Sequence, residues 1–228
     1  MNNSSTVDIE STLDIKKILK MVERKSYFII KRIFDIIGSL FGLIFLIPII
    51  LIVKIMNVLS GDFKKIFYRQ KRIGKNGKFI YIYKFRTMIP NAEEVLKEML
   101  KDPKYKKEWE ENQKFEQDPR ITKIGNILRK TSLDELPQML NVLKGDMSFI
   151  GPRPLVEGEL DLHKGNHKLY ESLRPGINGW WACNGRSDLT YKERLELEYY
   201  YAKNCSLLLD IKCFFKTIFV VFNHKGAK

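Results

Sequence analysis

The chain has 228 residues and a formal net charge of +13, from 40 Lys and Arg residues against 27 Asp and Glu residues. This length allows one main domain with a sizeable core and an appended element. The positive excess favours an anionic partner, whether nucleic acid, an acidic lipid headgroup or a phosphate-bearing substrate. Three cysteines without CxxC spacing argue against a disulfide framework and a zinc site, and predict free thiols in a reducing compartment.

Residues 1–30 are predicted to form an N-terminal extension that begins polar and becomes amphipathic. Ile15, Ile18, Leu19 and Val22 recur at helical spacing among lysines. This pattern is typical of a helix that lies on a membrane or on a partner surface, and an ordinary solvated helix fits it equally well.

Residues 36–53 form an uncharged apolar run, close to the ~20 residues that a helix needs to cross a bilayer. Basic residues flank both ends, and short basic flanks favour the cytoplasm, so both ends are expected on that side. Pro48, near the middle, removes a helical hydrogen bond and bends the axis. We therefore predict a re-entrant helix–break–helix over residues 31–60. An ordinary tilted span and a buried core helix are the alternatives.

Residues 66–73 and 78–85 are rich in β-branched and aromatic side chains, as strands are. Asn76-Gly77 between them is a strong hairpin signal because both residues tolerate positive φ. Most of the many cations in this hairpin are expected on a solvated face. Lys84 and Arg86 are the exceptions, because they lie at the end of the second strand.

Residues 91–117 are highly charged, with one apolar helical face that Pro103 interrupts. The pattern predicts two helices joined by a turn. After a second turn at Asp118-Pro119, helical spacing resumes over residues 121–128.

Asp134 and Glu135 are adjacent carboxylates between Arg129 and the loop at residues 151–154. Two carboxylates flanked by cations indicate a metal ion and phosphate groups. Glycine and two prolines hold the loop extended and present Arg153, whose guanidinium fork suits a phosphate. A tight turn with a surface arginine is the plainer interpretation of the loop.

The start of the helix at these carboxylates is ambiguous in the sequence. Ser132 and Glu135 fit a capping box. In that case Pro137 would stand past the first turn and remove a needed donor. A start at Leu133 or Asp134 instead places the proline among donors that are unpaired anyway, and the carboxylates at the positive end of the helix dipole.

Two later loops repeat the combination of stiff backbone and cation. Residues 174–181 carry Arg174, and residues 184–186 end in Arg186. Trp180 and Trp181 lie between these cations, where stacking on a base, a place at the lipid interface and core packing all fit.

The C-terminal stretch at residues 207–222 is strongly apolar, but Asp210, Lys212 and Lys216 interrupt it. These charges make it a poor membrane span. The pattern predicts an amphipathic helix at the interface, or one docked on the membrane-proximal face of the domain.

From Lys31 to about Val221 the chain resembles the bacterial sugar transferases, which are monotopic phosphoglycosyl transferases acting on polyprenol phosphate. The order and length of the matching stretches make the resemblance specific. They are residues 31–35, 83–88, 118–122, 128–138, 143–155 and 174–177. An α+β fold is expected, with the re-entrant helix followed by a mainly helical cytosolic domain at residues 61–228 that carries a small β-hairpin and amphipathic interfacial helices.

The resemblance implies transfer of a sugar-1-phosphate, from a hexose such as galactose or glucose, from a UDP-sugar to undecaprenyl phosphate. By similarity, Asp134 is the nucleophile that releases UMP and carries the phosphosugar. Glu135 would hold Mg²⁺, and Pro48 matches the helix-breaking proline of the family. Other cations match the family's phosphate-binding positions or are candidates for them: Lys84, Arg129, Arg153, Arg174 and Arg186.

This reading places the protein on the cytoplasmic face of the bacterial inner membrane, at the first step of capsule, exopolysaccharide or other glycan assembly. Membrane lipids are expected partners, a homo-oligomer is compatible with the chain, and no nucleic acid partner is expected. The alternatives are an N-acetylated sugar donor for O-antigen or glycoprotein glycan, a glycosyltransferase that passes sugar without phosphate, and a non-catalytic basic membrane adaptor. Two departures from the family are Ile47, where serine is common, and Ala182, where glutamine is common.

Overall fold

The computed structural model describes residues 25–112, 115–162, 165–185 and 189–222. Most of the predicted N-terminal extension, residues 1–24, lies outside these ranges. The helices are α1 (Lys25–Leu59), α2 (Ala92–Met99), α3 (Pro103–Asn112), α4 (Lys123–Lys130), α5 (Met139–Lys144), α6 (Glu159–Leu162), α7 (His167–Glu171), α8 (Tyr191–Asn204) and α9 (Leu207–Phe222). The strands are β1 (Phe67–Ile73), β2 (Phe79–Phe85), β3 (Ser148–Ile150) and β4 (Gly176–Asn178). The described part is thus helix-rich with a small hairpin, as predicted.

Helix α1 is one continuous helix of 35 residues that contains Pro48. By length and composition alone it could cross a membrane. The predicted break into two helices is therefore wrong at the level of secondary structure. A proline inside a helix removes one hydrogen bond and bends the axis, while the helix continues on either side. The re-entrant path through the membrane stays a prediction.

One side of α1 packs against the rest of the chain along the whole helix. Its buried residues include Tyr27 near the N-terminus, Leu46 in the middle and Val53 near the C-terminus. Gly38 belongs to this side, because a Cβ atom there would lie 2.6 Å from the ring of Phe149. The opposite side is exposed and apolar. It includes Ile33, Phe34, Ile37, Phe41, Ile44, Phe45, Ile47, Leu51 and Ile52.

Helix α9 has the bounds predicted from the sequence and is anchored to α1 by a buried carboxylate. Asp210 Oδ2 accepts a hydrogen bond from the Tyr27 hydroxyl at 2.9 Å and pairs with Lys31 Nζ at 2.6 Å. The outward side of α9 is apolar, with Leu208, Ile211, Phe214, Phe215 and Phe219 exposed. Helices α1 and α9 together therefore present apolar surface, and contact of this surface with lipid stays a prediction.

Strands β1 and β2 form the predicted antiparallel hairpin. Asn76 in the connection has φ of 59°, the left-handed conformation that the Asn-Gly pair favours. Tyr68 lies opposite Lys84 in the register, and Arg72 lies opposite Ile80. Side chains alternate between the two faces of a strand, so residues 68, 70 and 72 share one face.

A second, parallel pair joins β3 to β4 and was not predicted. Each strand has only three residues, and the two lie far apart in the chain. The pair brings the loop at residues 151–154 next to residues 174–178, where the Gly151 N–H bonds to the Asn178 carbonyl at 2.9 Å. It thereby fixes the loop that carries Arg153. The predicted pair of helices around Pro103 is confirmed as α2 and α3.

Candidate active site

A cleft of about 890 Å³ lies between the hairpin, helix α2 and the segments that follow α4 and β3. Five of the predicted catalytic and phosphate-binding residues line this cleft: Lys84, Arg129, Asp134, Glu135 and Arg153. They come from four separate stretches of the chain, so the fold gathers them at one place. The cleft is the candidate active site.

The two carboxylates stand at the start of a 3₁₀ helix over Leu133–Gln138, which continues directly into α5. Ser132 adopts a left-handed conformation with φ of 57°, and its side chain makes no capping hydrogen bond. The predicted capping box is therefore wrong, and the alternative start at Leu133 is confirmed. Pro137 is the fifth residue of this helix, and the Glu135 N–H before it already bonds to the Ser132 carbonyl at 3.4 Å. The expectation that its missing N–H would fall among unpaired donors is therefore wrong, and the proline costs the helix one hydrogen bond.

Cations lie close to both carboxylates. Lys84 Nζ lies 2.6 Å from Glu135 Oε1. Burial and the neighbouring Glu135 raise the pKa of Asp134 to about 6, against the opposing effects of Lys84 and Arg129. The Asp134 carboxylate is thus partly desolvated, and the adjacent cations limit the cost of its charge.

Arg129 is held at the cleft by Thr87, which immediately follows Arg86 after the hairpin. Arg129 Nε donates to Thr87 Oγ1 at 2.9 Å. Helix α4 can lie this close because Gly125 has no side chain, and a Cβ atom there would lie 2.0 Å from the Thr87 carbonyl oxygen. Thr122 caps the same helix by accepting a hydrogen bond from the Gly125 N–H at 2.9 Å. These contacts place the guanidinium without help from a ligand.

The backbone of Arg153 is fixed on both sides by buried side chains. Its N–H donates to Glu198 Oε1 at 2.9 Å, and its carbonyl accepts from the Tyr170 hydroxyl at 3.0 Å. Its guanidinium pairs with Glu159 at 3.2 Å. Sequence reasoning missed Glu198 and Tyr170, since an acidic residue in α8 gives no local sign that it reaches a distant loop.

Glu198 is fully buried, and the pH dependence of stability should reveal it. Burial raises the pKa of Glu198 from 4.5 to about 8, although Arg153, Arg194 and Tyr170 oppose the shift. The folded state then holds a proton that the unfolded state loses, so stability should fall as the pH rises from about 4.5 to about 8. Glu198→Gln stays neutral and should remove this part of the pH dependence. Thermal unfolding midpoints of both proteins at several pH values test this, and identical pH profiles would contradict it.

Of the predicted cations that the structure describes, Arg174 does not join the cluster. Arg174 Nε donates to the Gly145 carbonyl at 2.8 Å, and its side chain borders a separate small pocket together with Lys75. Arg186 lies outside the described residues. Of the two tryptophans, Trp181 lines the cleft, whereas Trp180 packs against the Tyr200 ring at 5.9 Å.

The structure adds cleft residues that sequence reasoning passed over. Tyr68, Gln70 and Arg72 line the cleft from one face of β1, and Lys84 joins them from β2. The signal was the period-two alternation of the strand, which separates these residues from Arg69 on the other face. Because most cations of the hairpin were expected to be solvated, Arg72 was not predicted to line the cleft.

Asp134 and Glu135 supply hard carboxylate oxygens that suit Mg²⁺. Within the described ranges no three His, Cys, Asp or Glu side chains come together as a metal site. Mg²⁺ in phosphate-handling sites commonly uses one or two carboxylates and takes its other ligands from phosphates and water. The pair therefore fits Mg²⁺ bound together with a phosphate-bearing substrate, and the metal stays a prediction.

Comparison with known proteins gives one family and several relatives. The family model for bacterial sugar transferases matches residues 26–224. The UDP-galactose-lipid carrier transferase of Erwinia amylovora is 44% identical over 199 residues, which are 87% of this chain and 41% of the relative. The undecaprenyl-phosphate galactose phosphotransferase of Salmonella typhimurium is 44% identical over 208 residues, which are 91% of this chain and 43% of the relative.

A shorter relative matches over most of its own length. The exopolysaccharide production protein ExoY of Sinorhizobium fredii is 44% identical over 198 residues, which are 86% of this chain and 87% of the relative. The chain therefore spans less than half of the two longer relatives and most of this one. All three matches include the greater part of the described fold.

Proposed function

Because the chain belongs to the bacterial sugar transferase family, whose members are enzymes, we propose that it transfers a hexose-1-phosphate from a UDP-sugar to undecaprenyl phosphate. The observation that carries the proposal is the cleft that Asp134 and Glu135 line together with Lys84, Arg129 and Arg153. A nucleophilic carboxylate surrounded by cations suits attack on a diphosphate. Relatives whose names specify galactose or glucose support a hexose donor.

In the first half-reaction, an Asp134 carboxylate oxygen attacks the phosphorus next to the sugar. A bond forms between that oxygen and phosphorus as the bond from phosphorus to the bridging oxygen breaks, and the bridging oxygen leaves with UMP. The enzyme then carries the phosphosugar as an acyl phosphate on Asp134. Arg129 stabilises negative charge on the phosphoryl group, and Lys84 is placed to do the same when it leaves Glu135.

In the second half-reaction, an oxygen of undecaprenyl phosphate attacks the same phosphorus. The bond from phosphorus to Asp134 breaks, the free carboxylate returns, and the product is undecaprenyl diphosphosugar. Charge is conserved in both steps, so neither requires an external proton. When Mg²⁺ is bound, Glu135 would hold it, and the metal would neutralise charge on the diphosphate.

The packing of α1 supports a position on one face of the membrane. Tyr27, near one end of the helix, bonds to Asp210, and Val53, near the other end, packs in the same cluster as Phe85. A helix of this length is about 50 Å long if straight, so a simple span would draw these contacts into the bilayer. A re-entrant path, bent at Pro48 and shallow enough to keep Leu46 packed on the domain, holds both ends of the helix at the cytoplasmic face. It also places the exposed apolar residues of α1 in lipid.

The test is a donor panel with the purified protein in lipid nanodiscs. UDP-galactose, UDP-glucose and their N-acetylated counterparts are each offered with undecaprenyl phosphate, and UMP and lipid products are measured. We expect UMP release with a hexose donor and a diphosphate-linked lipid by mass. Release of UDP would instead indicate sugar transfer without phosphate. A preference for N-acetylated donors would overturn the hexose assignment.

A further inference from the structure

Arg72 faces the cleft with an unsatisfied donor. Its Nη2 donates to Gln70 Oε1 at 2.7 Å, but its buried Nε has no hydrogen-bond partner among the described residues. A buried polar group without a partner is costly, and a guanidinium has no acceptor capacity, so its natural partner is an anion. Arg72 and Arg153 line the same cleft.

The neighbourhood of Arg72 carries more positive than negative charge. Burial and the nearby Arg153 lower the pKa of Arg72 to about 10, and the same two influences lower the pKa of Arg194. Glu159 is shared between two of these cations, at 3.2 Å from Arg153 and 3.5 Å from Arg194. A further acid in this neighbourhood, Glu198, is fully buried, and burial raises its pKa to about 8. Three guanidinium groups therefore share two carboxyl groups, and one of these has a raised pKa.

This arginine cluster (Arg72, Arg153 and Arg194) is separate from the cations that serve the carboxylates. Lys84 pairs with Glu135, and Arg129 interacts with Asp134. Within the arginine cluster, Arg153 and Arg194 instead pair with Glu159. The cleft thus contains two cationic positions, one at the nucleophile and one beyond it.

The chemistry of the proposed function requires a second phosphate position. Displacement at phosphorus is in line, so UMP departs on the side opposite the Asp134 oxygen. In the second step the Asp134 oxygen is the leaving group, and the acceptor must enter on the side opposite to it. The phosphate of departing UMP and the phosphate of the incoming lipid therefore occupy the same region in turn.

We infer that Arg72 and Arg153 form one phosphate subsite, which holds the nucleotide phosphate in the first half-reaction and the acceptor phosphate in the second. The inference rests on the proposed function and adds to it a residue and a shared position. Arg194 stands behind the subsite, where its guanidinium lies 4.7 Å from the centre of the Trp181 ring. The shared use is chemically reasonable because both groups are phosphate monoesters, one on a nucleoside and one on a lipid.

The test compares Arg72→Met with Arg69→Met in nanodiscs. Arg69 lies on the same strand, but its side chain points to the other face and covers the Tyr81 ring at 5.0 Å. Two quantities are measured for each variant: the affinity for UMP alone, and the KM for undecaprenyl phosphate at saturating donor. We expect Arg72→Met to weaken both by about tenfold or more, as loss of a charged hydrogen bond should, and Arg69→Met to leave both unchanged.

Arg72→Lys is the control for misfolding, because it keeps the positive charge and loses only the two-pronged hydrogen-bonding geometry of the guanidinium. It should fall between wild type and Arg72→Met in both quantities, with an unchanged thermal midpoint. A change in UMP affinity alone, or in acceptor KM alone, would overturn the shared subsite, and no change in either would remove it. Wild-type protein that released no UMP would instead refute the proposed function, so the two failures are distinguishable.

Discussion

Asp134→Asn is expected to lower UMP release from the UDP-sugar by at least about 1,000-fold, because an amide cannot form the acyl phosphate. Asparagine has the same shape as aspartate, so the 3₁₀ segment should keep its conformation and the cleft its other residues. The loss should therefore appear in the chemical step. UMP release in a single turnover, without acceptor, measures that step directly.

The matched control is Asp161→Asn, which makes the same chemical change at an exposed position where the carboxylate, among the described residues, pairs with His167. It should release UMP at the wild-type rate. Undiminished UMP release by Asp134→Asn would remove the nucleophile assignment. It would leave the cleft as a binding site whose chemistry lies on another side chain.

Glu135→Gln is expected to lower UMP release by about 100-fold and to leave a residual activity that depends strongly on Mg²⁺ concentration. The substitution removes one of the two carboxylates available to the metal and replaces the charged partner of Lys84, at 2.6 Å, with a neutral amide. A titration of Mg²⁺ against UMP release should show a shift of the half-saturating concentration to higher values.

Glu157→Gln is the control for this prediction, since Glu157 is exposed and pairs with Lys71 outside the cleft. It should leave both the rate and the Mg²⁺ titration unchanged. A Glu135→Gln protein with the wild-type Mg²⁺ titration would show that Glu135 does not hold the metal. In that case its pairing with Lys84 would account for any loss of rate.

The elements with strong local signals could be predicted from the sequence. Asn76-Gly77 fixed the place of the hairpin, because few other residues accept positive φ there. Helix α9 has its predicted bounds because apolar residues dominate from Leu207 to Phe222, although three charged side chains interrupt them. Pro103 divides α2 from α3 as expected, because proline readily starts a helix but disrupts one that precedes it.

The features that depend on distant contacts could not be predicted. The position of Arg153 depends on Glu198 and Tyr170, and on the parallel pair of β3 with β4. Nothing near residue 153 in the sequence reveals these partners. Arg174 has the same local pattern of loop and cation as Arg153, yet it turns towards the Gly145 carbonyl, away from the cleft. Tertiary packing therefore determines which of the two arginines lines the cleft.

The central segment shows how local rules compete. Ser132 and Glu135 have the spacing of a capping box, but Ser132 takes a left-handed conformation and makes no cap. Glu135 is engaged by Lys84 from the hairpin. A charged contact across the cleft thus replaces a local hydrogen bond of about 1 kcal/mol. The departure from the local rule occurs at the candidate catalytic residues, where such departures are expected.

The most direct measurement is identification of the covalent intermediate. Wild-type protein is incubated with radiolabelled UDP-hexose in the absence of acceptor, quenched, digested and analysed by mass spectrometry. We predict a hexose phosphate on the peptide that contains Asp134, which disappears when undecaprenyl phosphate is added before the quench. Protein that releases UMP but carries no label, or carries it on another side chain, would contradict the account.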